Sequence, residues 1–236
     1  MYAIFEKEFA ITDNMCSSNQ CIKPSGILDI LQSVAGEHAN ILKIGFNDII
    51  SKNLAFVIAR VKYDLLKPIK RYSRIKVVTW PCAVGRIEMK RDYEFYDIYT
   101  NELLLKASSI WFLIDYTNRK ICRSSSVDYP TNIYPKENYD TFDKLKFEDV
   151  GFNVSNEYLV RHSDLDLNNH MNNTKYTDSV IYNGLCTFCQ VDYIREVKLN
   201  DKLIVKTKQE EDMLYAIGTN DGEVSFKAVF KIEGVN

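Results

Sequence analysis

Apolar residues recur with two different periods along this 236-residue chain, and the change from one to the other lays out its architecture. Over residues 24–44, Ile27, Leu28, Leu31, Val34, Ala35, Ile41 and Leu42 form a stripe with the helical repeat of about 3.6 residues. Pro24 suits a first turn, where its missing N–H costs nothing, Ser25 or its neighbours can cap, and Gly45 offers a stop. Four extended segments follow at 53–63, 73–80, 86–97 and 102–115. They are rich in Val, Ile, Tyr, Phe and Trp, and Pro68, residues 81–85 and the pair Thr100 and Asn101 separate them. Residues 128–150 hold Pro130, Pro135 and mixed charge with little periodicity, which predicts a linker.

Beyond the linker the plan recurs. A short strand at 157–162 leads through a polar stretch to a helix expected near 172–189, with Tyr176, Val180, Ile181, Leu185 and Phe188 on one side. Extended segments follow near 191–197, 202–211, 213–219 and 223–233. The two openings are alike, EFAITDN at 8–14 against YLVRHSDL at 158–165, at an offset of about 151. A strand, a long helix and a run of antiparallel strands, twice over, is the mark of a duplication. The expected architecture is α+β: two modules, 1–127 and 151–236, joined by a linker at 128–150, each curving a sheet around its long helix, with the sheets joined.

Composition narrows the class. With 46% apolar and 26% charged residues the chain can bury a core, and disorder, collagen and coiled coil are excluded. Fifteen Tyr and 12 Phe against nine Gly and five Pro favour long strands. A net charge of −2 gives no argument for nucleic acid or a membrane surface. No apolar run approaches the ~20 residues of a membrane helix, and MYAIFEKEF does not read as a secretory signal. The expectation is a soluble, cytoplasmic protein without membrane insertion. Six cysteines make no disulfide framework, and the CxxC at Cys186 and Cys189 has no second pair to complete a metal site. Both thiols are expected to be reduced, on one face of the second helix. Neither a cofactor nor a metal is expected.

The densest polar cluster is RHSDLDLNNHMNNTKY at 161–176. In an extended backbone Asp164, Asp166, Asn168 and His170 would share one face, with Leu165 and Leu167 turned toward packing. Asn172 or Asn173 can cap a following helix, whose free N–H groups would stabilise a developing oxyanion. A carboxylate, an amide and an imidazole beside such a terminus suit hydrolysis of an acyl compound. The competing reading is a solvated loop of caps and turns. Against it, the equivalent stretch of the first module, 13–23, holds none of the three His. His38 lies on the apolar stripe and reads as a core residue. No GxSxG, GxxxxGK[ST], GxGxxG or HExxH occurs. Arg60, Lys62, Lys67, Lys70, Arg71, Arg74 and Lys76 form a basic segment that reads as a solvated face or as a dock for an acidic partner.

At SDLDLNNHMNNTKY the sequence resembles the acyl-acyl carrier protein thioesterases of plant plastids and bacteria. The pattern DxNxHxNNxxY is similar to that family's catalytic signature and related to the DxDxxGHxNNxxY of other hotdog thioesterases. KNLAFVIARV at 52–61, MKRDYEFYD at 89–97 and LKASSIWFLID at 105–115 look like the family's first-module strands, and YIREV at 193–197 resembles its YRREC. The likeness spans most of the chain and implies a double hotdog. By this resemblance Asp166, Asn168 and His170 match the catalytic Asp, Asn and His, and Glu196 matches the catalytic Glu. The Cys that follows this Glu in plant members is Val197 here, so water or a carboxylate must attack. The implied reaction is hydrolysis of fatty acyl carrier protein, with Glu196, aided by His170, activating water. Asn168 and helix-terminal N–H groups would hold the oxygen, and Asp166 would orient His170 or Asn168. An acyl tunnel is implied in the first module, near Leu31, Val34, Phe56, Ile58, Trp111 and Leu113. The implied partner is an acidic acyl carrier protein bearing a phosphopantetheine-linked chain, and whether the double module forms a homodimer is left open. Acyl-coenzyme A hydrolysis, hydration or dehydration, and acyl binding without turnover are the alternatives on the same fold.

Overall fold

The computed structural model describes residues 3–234; the outermost residues of both expected modules, 1–2 and 235–236, lie outside the described residues. The first half contributes β1 (Phe5–Ala10), α1 (Pro24–Ile41), a single turn α2 (Phe46–Ile49), β2 (Leu54–Leu65), β3 (Arg74–Val84), β4 (Glu88–Asp97) and β5 (Leu103–Asp115). The second contributes β6 (Asn153–Leu159), β7 (Leu185–Tyr193), β8 (Lys202–Glu210), β9 (Met213–Asn220) and β10 (Glu223–Glu233). All ten strands pair antiparallel in one sheet, ordered β1-β3-β4-β5-β2-β7-β10-β9-β8-β6. Each half has the same internal order, and the halves meet where β2 lies against β7 with Val61 opposite Val191. The two expected sheets are therefore one.

Helix α1 forms where the stripe predicts it. Ile27, Ile30, Leu31 and Val34 are almost fully buried, each worth roughly 1.5–3 kcal/mol of transfer free energy. They share one core with Tyr63 and Phe95 of the first half and Val191, Phe226 and Phe230 of the second. The helix ends before Gly45: Leu42 caps it, and Lys43 takes the left-handed conformation at φ 60°.

The expected second long helix is absent. Asn173–Ser179 is a short 3₁₀ segment, and the chain is extended again from Leu185, so Cys186 and Cys189 lie on β7 rather than on a helix. The reason is local. Thr174, Thr177, Ser179, Val180 and Ile181 are weak helix formers, and Gly184 sits at φ 133° with a built Cβ only 2.5 Å from the Glu233 carbonyl. A helix cannot pass that point. The 3₁₀ segment packs on α1 instead, so a single long helix serves both halves.

Backbone pairing shows where the halves correspond. Ile11 N–H donates to Ser73 O and Ile22 N–H to Ile69 O, each at 2.9 Å; Val160 N–H donates to Asp201 O at 2.9 Å and Met171 N–H to Val197 O at 2.8 Å. Ile11 thus corresponds to Val160, two positions away from the match of openings read in the sequence. On this register Ser17, Asn19, Cys21 and Pro68 occupy the places of Asp166, Asn168, His170 and Glu196.

Residues 128–150 contain no helix or strand, yet they are fastened across the sheet face away from α1. Trp80 Nε1 donates to Lys136 O at 2.8 Å, Asn138 N–H to Asp92 Oδ2 at 2.6 Å, Arg60 to Phe142 O at 2.9 Å and Leu145 N–H to Asp192 Oδ2 at 2.9 Å. This strap explains why Arg60, Asp92 and Asp192 are buried. It also changes the meaning of the basic segment. Arg60 and Lys62 hold the strap, Lys67, Arg71 and Arg74 pair with Glu102, Asp13 and Glu8, and Lys76 reaches Asn101. A run with six engaged cations is not a free docking field.

Candidate active site

The polar cluster is a knot rather than an extended face. A 3₁₀ turn at His162–Asp164 is closed by the Asp164 carboxylate, which accepts Arg161 N–H at 2.8 Å, while Asp164 O accepts Asn172 N–H at 2.7 Å. Asp164 is buried and serves this closure. Asp166 to His170 then form a tight loop: Asp166 N–H donates to His170 O at 2.8 Å, and Asn169 adopts φ 59°. This loop turns Leu167 fully outward, contrary to the alternation, while Leu165 packs against the core.

The Asp166 carboxylate accepts the N–H groups of Asn168 and His170 at 2.8 and 3.2 Å and the Asn168 amide at 3.4 Å. It shapes the loop and aims the Asn168 side chain; it does not touch the His170 ring. That ring meets Glu196, with Nε2 3.0 Å from Oε2. Because a carboxylate only accepts, Nε2 carries the proton and Nδ1 of the neutral ring keeps its lone pair. Desolvation lowers the His170 pKa below its ordinary value, Asp166 opposes this, and Arg119 and Lys198 add to it. The shift favours the neutral imidazole over the imidazolium.

The four residues singled out in the sequence therefore share one locus: Asp166, Asn168 and His170 on one loop, and Glu196 on the segment after β7. Helix-terminal N–H groups do not join them, since only a seven-residue 3₁₀ segment follows and Asn172 already caps Thr174 N–H at 3.1 Å. Sequence reasoning missed Arg119, from the turn after β5, whose guanidinium contacts Glu196 Oε1. It belongs to no motif: it is one of two adjacent cations, Arg119 and Lys120, in a polar turn of the other module.

A cavity of ≈ 260 Å³ lies between α1 and the first-half strands, lined by Ala35, Ile44, Ile49, Phe56, Met89 and Trp111 among others, with buried Arg91 in its wall. Arg91 bonds His38 Nδ1 at 3.0 Å. His38 is a core residue, as expected, and burial and then Arg91 push its pKa down to about 4. A second, much smaller cavity, lined by Leu31, Gln32, Ile58, Trp111, Asn173, Thr174 and Tyr193 among others, shares Gln32 and Trp111 with the first, and Asn173 and Thr174 in its wall follow His170 closely in the chain. The buried Thr174 hydroxyl there finds no partner among the described residues. Of the expected tunnel residues, Leu31, Phe56, Ile58 and Trp111 line one or other of these cavities, whereas Val34 and Leu113 are packed in the core.

A long helix cradled in a curved antiparallel sheet, with that strand plan repeated in a second half, defines a double hotdog protein, with an apolar cavity in its first half and a polar locus on its second. The models of the acyl-ACP thioesterase N-terminal and C-terminal domains match residues 3–126 and 148–233, and the chain belongs to this family. It is 25% identical to the chloroplastic oleoyl-acyl carrier protein thioesterase of Coriandrum sativum over 92% of this chain and 66% of that protein. It is 28% identical to the chloroplastic palmitoyl-acyl carrier protein thioesterase of Arabidopsis thaliana over 73% of this chain and 45% of that protein. The chain thus spans less than two thirds of these relatives' lengths. Among solved structures, an acyl-ACP thioesterase of Bacteroides thetaiotaomicron superposes with a TM-score of 0.88 at 19% identity, covering 98% of both chains. The 12:0-ACP thioesterase of Umbellularia californica superposes with a TM-score of 0.84 at 19% identity, covering 99% of this chain and 98% of that one. These superpositions show the fold. Among the described residues no helix is long and apolar enough to cross a membrane.

Proposed function

We propose that this protein hydrolyses the thioester of fatty acyl carrier protein, with Asp166, Asn168, His170 and Glu196 as its catalytic residues. The observation that carries the reading is the His170–Glu196 contact at 3.0 Å, in a chain of this family whose first half holds an apolar cavity. The acyl chain would occupy that cavity by way of the smaller one beside Asn173 and Thr174, leaving the thioester at the polar loop. Glu196 fixes the Nε2 proton, so His170 Nδ1 takes a proton from water as the water oxygen attacks the thioester carbon. The Asn168 amide, held by Asp166, donates to the carbonyl oxygen as it gains charge. When the tetrahedral adduct collapses, the C–S bond breaks and His170 returns its proton to the leaving pantetheine sulfur. The products are a free fatty acid and the carrier thiol. Val197 stands where a thiol nucleophile would be needed, and Cys186 and Cys189 are buried on β7 with thiol pKa values raised by burial.

The test is thiol release from an acyl carrier protein, matched to free fatty acid. His170→Ala and Glu196→Ala are each expected to lower kcat by at least ~10²–10⁴-fold, the range of general acid–base catalysis, with circular dichroism unchanged. Wild-type turnover in either variant refutes the assignment.

A further inference from the structure

Glu196 stands on an exposed segment, its side chain 42% accessible, and a glutamate so placed has several rotamers open to it. Two groups restrict it: His170 holds Oε2, and Arg119 holds Oε1. Arg119 belongs to the first half of the chain. Its turn is fastened on every side. Asp115 accepts Asn118 N–H at 2.7 Å and Asn53 Nδ2 at 2.9 Å, Arg119 N–H donates to Asp115 O at 2.9 Å, and Asp115 N–H to Lys120 O at 2.8 Å. Arg119 itself takes the left-handed conformation, φ 57°, which favours Gly or Asn over a long side chain. A rigid mount with a guanidinium at its tip meets the Glu196 carboxylate, which touches the His170 ring.

We infer that Arg119 is a positioning residue for the reaction proposed above, fixing the Glu196 carboxylate toward His170 from the opposite module, so that the catalytic apparatus is complete only across both halves of the duplication. The inference rests on the proposed site. Its rival is an ordinary surface ion pair, which contributes about 0–1 kcal/mol and can be deleted without effect on turnover.

The charges that face His170 are Asp166 from its own loop, Glu196 and Lys198 from the segment after β7, and Arg119 from the turn after β5. Removing Arg119 withdraws a cation that disfavours the imidazolium, which raises the pKa of His170; the loss of position of the Glu196 carboxylate is read separately, in kcat.

The experiment uses the full chain as wild type, Arg119→Gln and Arg119→Lys, with two readouts. The first is the ring titration of His170 by NMR, assigned by its loss in His170→Ala. Arg119→Gln is expected to raise it by about half a unit or more, a roughly threefold change in proton affinity. The second is steady-state hydrolysis of an acyl carrier protein. Arg119→Gln is expected to lower kcat about 10–100-fold with KM within roughly threefold, and to move the acidic limb of the pH profile to higher pH. Arg119→Lys, which keeps the charge but lacks the fork, should recover part of the rate and most of the limb. An unchanged titration with unchanged kcat overturns the inference. A raised KM with wild-type kcat also overturns it, making Arg119 a substrate contact. If His170→Ala retains full activity, the proposed site fails, while the titration still reports separately whether Arg119 acts on His170.

Discussion

His170 and Glu196 form the residue-scale unit on which the account depends, and its pH behaviour has a definite sign. The His170 pKa lies below its usual value, so the ring remains neutral down to a pH below that of an exposed imidazole. Hydrolysis should be level above the ordinary imidazole range and fall at lower pH as His170 protonates, with the acidic limb of the kcat/KM profile centred below the usual ~6.5; a limb centred above it contradicts this. Buried His38 bears on stability instead. Its folded pKa of about 4 lies below its unfolded value, so the unfolded state binds the extra proton between the two. Stability is complete above the unfolded pKa and declines as pH falls toward 4. His38→Gln should flatten that decline in urea titrations at pH 7 and pH 5, and an unaltered slope would show that another group governs it. At this scale the sequence was informative on which polar side chains one short motif brings together, as with Asp166, Asn168 and His170. It was silent on Arg119, because an ion pair between remote turns leaves no local pattern.

At the scale of elements, strands and α1 were legible because period-2 and period-3.6 patterns impose themselves on buried faces. The second helix was misread for a physical reason. Tyr176, Val180, Ile181, Leu185 and Phe188 fit a helical stripe, yet the Gly184 backbone at φ 133° and the β10 partner fix an extended chain from Leu185 onward. Gly184→Val is expected to destabilise the protein by roughly 3 kcal/mol, read as a lowered urea midpoint; a neutral effect would mean that the strand start tolerates another path. The cavity belongs to α1 and the strands opposite it, and in the proposed reaction its residues would set the length of acyl chain accepted. Ala35→Phe should shift hydrolysis toward shorter acyl chains and Phe56→Ala toward longer ones, measured as the ratio of rates across a chain-length series. Unmoved ratios in both variants would take the acyl chain elsewhere.

For the whole molecule, the two halves share a strand plan and differ in what they carry. The first half holds the long helix and the cavity, and its equivalent loop carries Ser17, Asn19 and Cys21 where the second has Asp166, Asn168 and His170. Asn19 there donates to Gly184 O at 3.2 Å and ties the halves together. The second half holds the polar loop and, among the described residues, no long helix. The two-part plan was legible from the repeat, whereas the strap at 128–150 and its hold on Arg60 and Lys62 were not, since irregular backbone carries no periodic signal. Carrier docking through the segment 60–76 is accordingly expected to be weak. Lys67→Ala, Lys70→Ala and Lys76→Ala together should change KM for a carrier-bound substrate by less than about twofold, in keeping with the small worth of exposed charges; a large rise would restore that segment as the dock. The central claim, one hydrolytic site fed by one apolar cavity, is tested most directly by thiol release from saturated acyl carrier proteins, short to long, beside the matching acyl-coenzyme A compounds. The account predicts release that favours the carrier-bound series, peaks at one chain length and disappears in His170→Ala. No release from any compound by the folded protein would contradict it and leave a binding role.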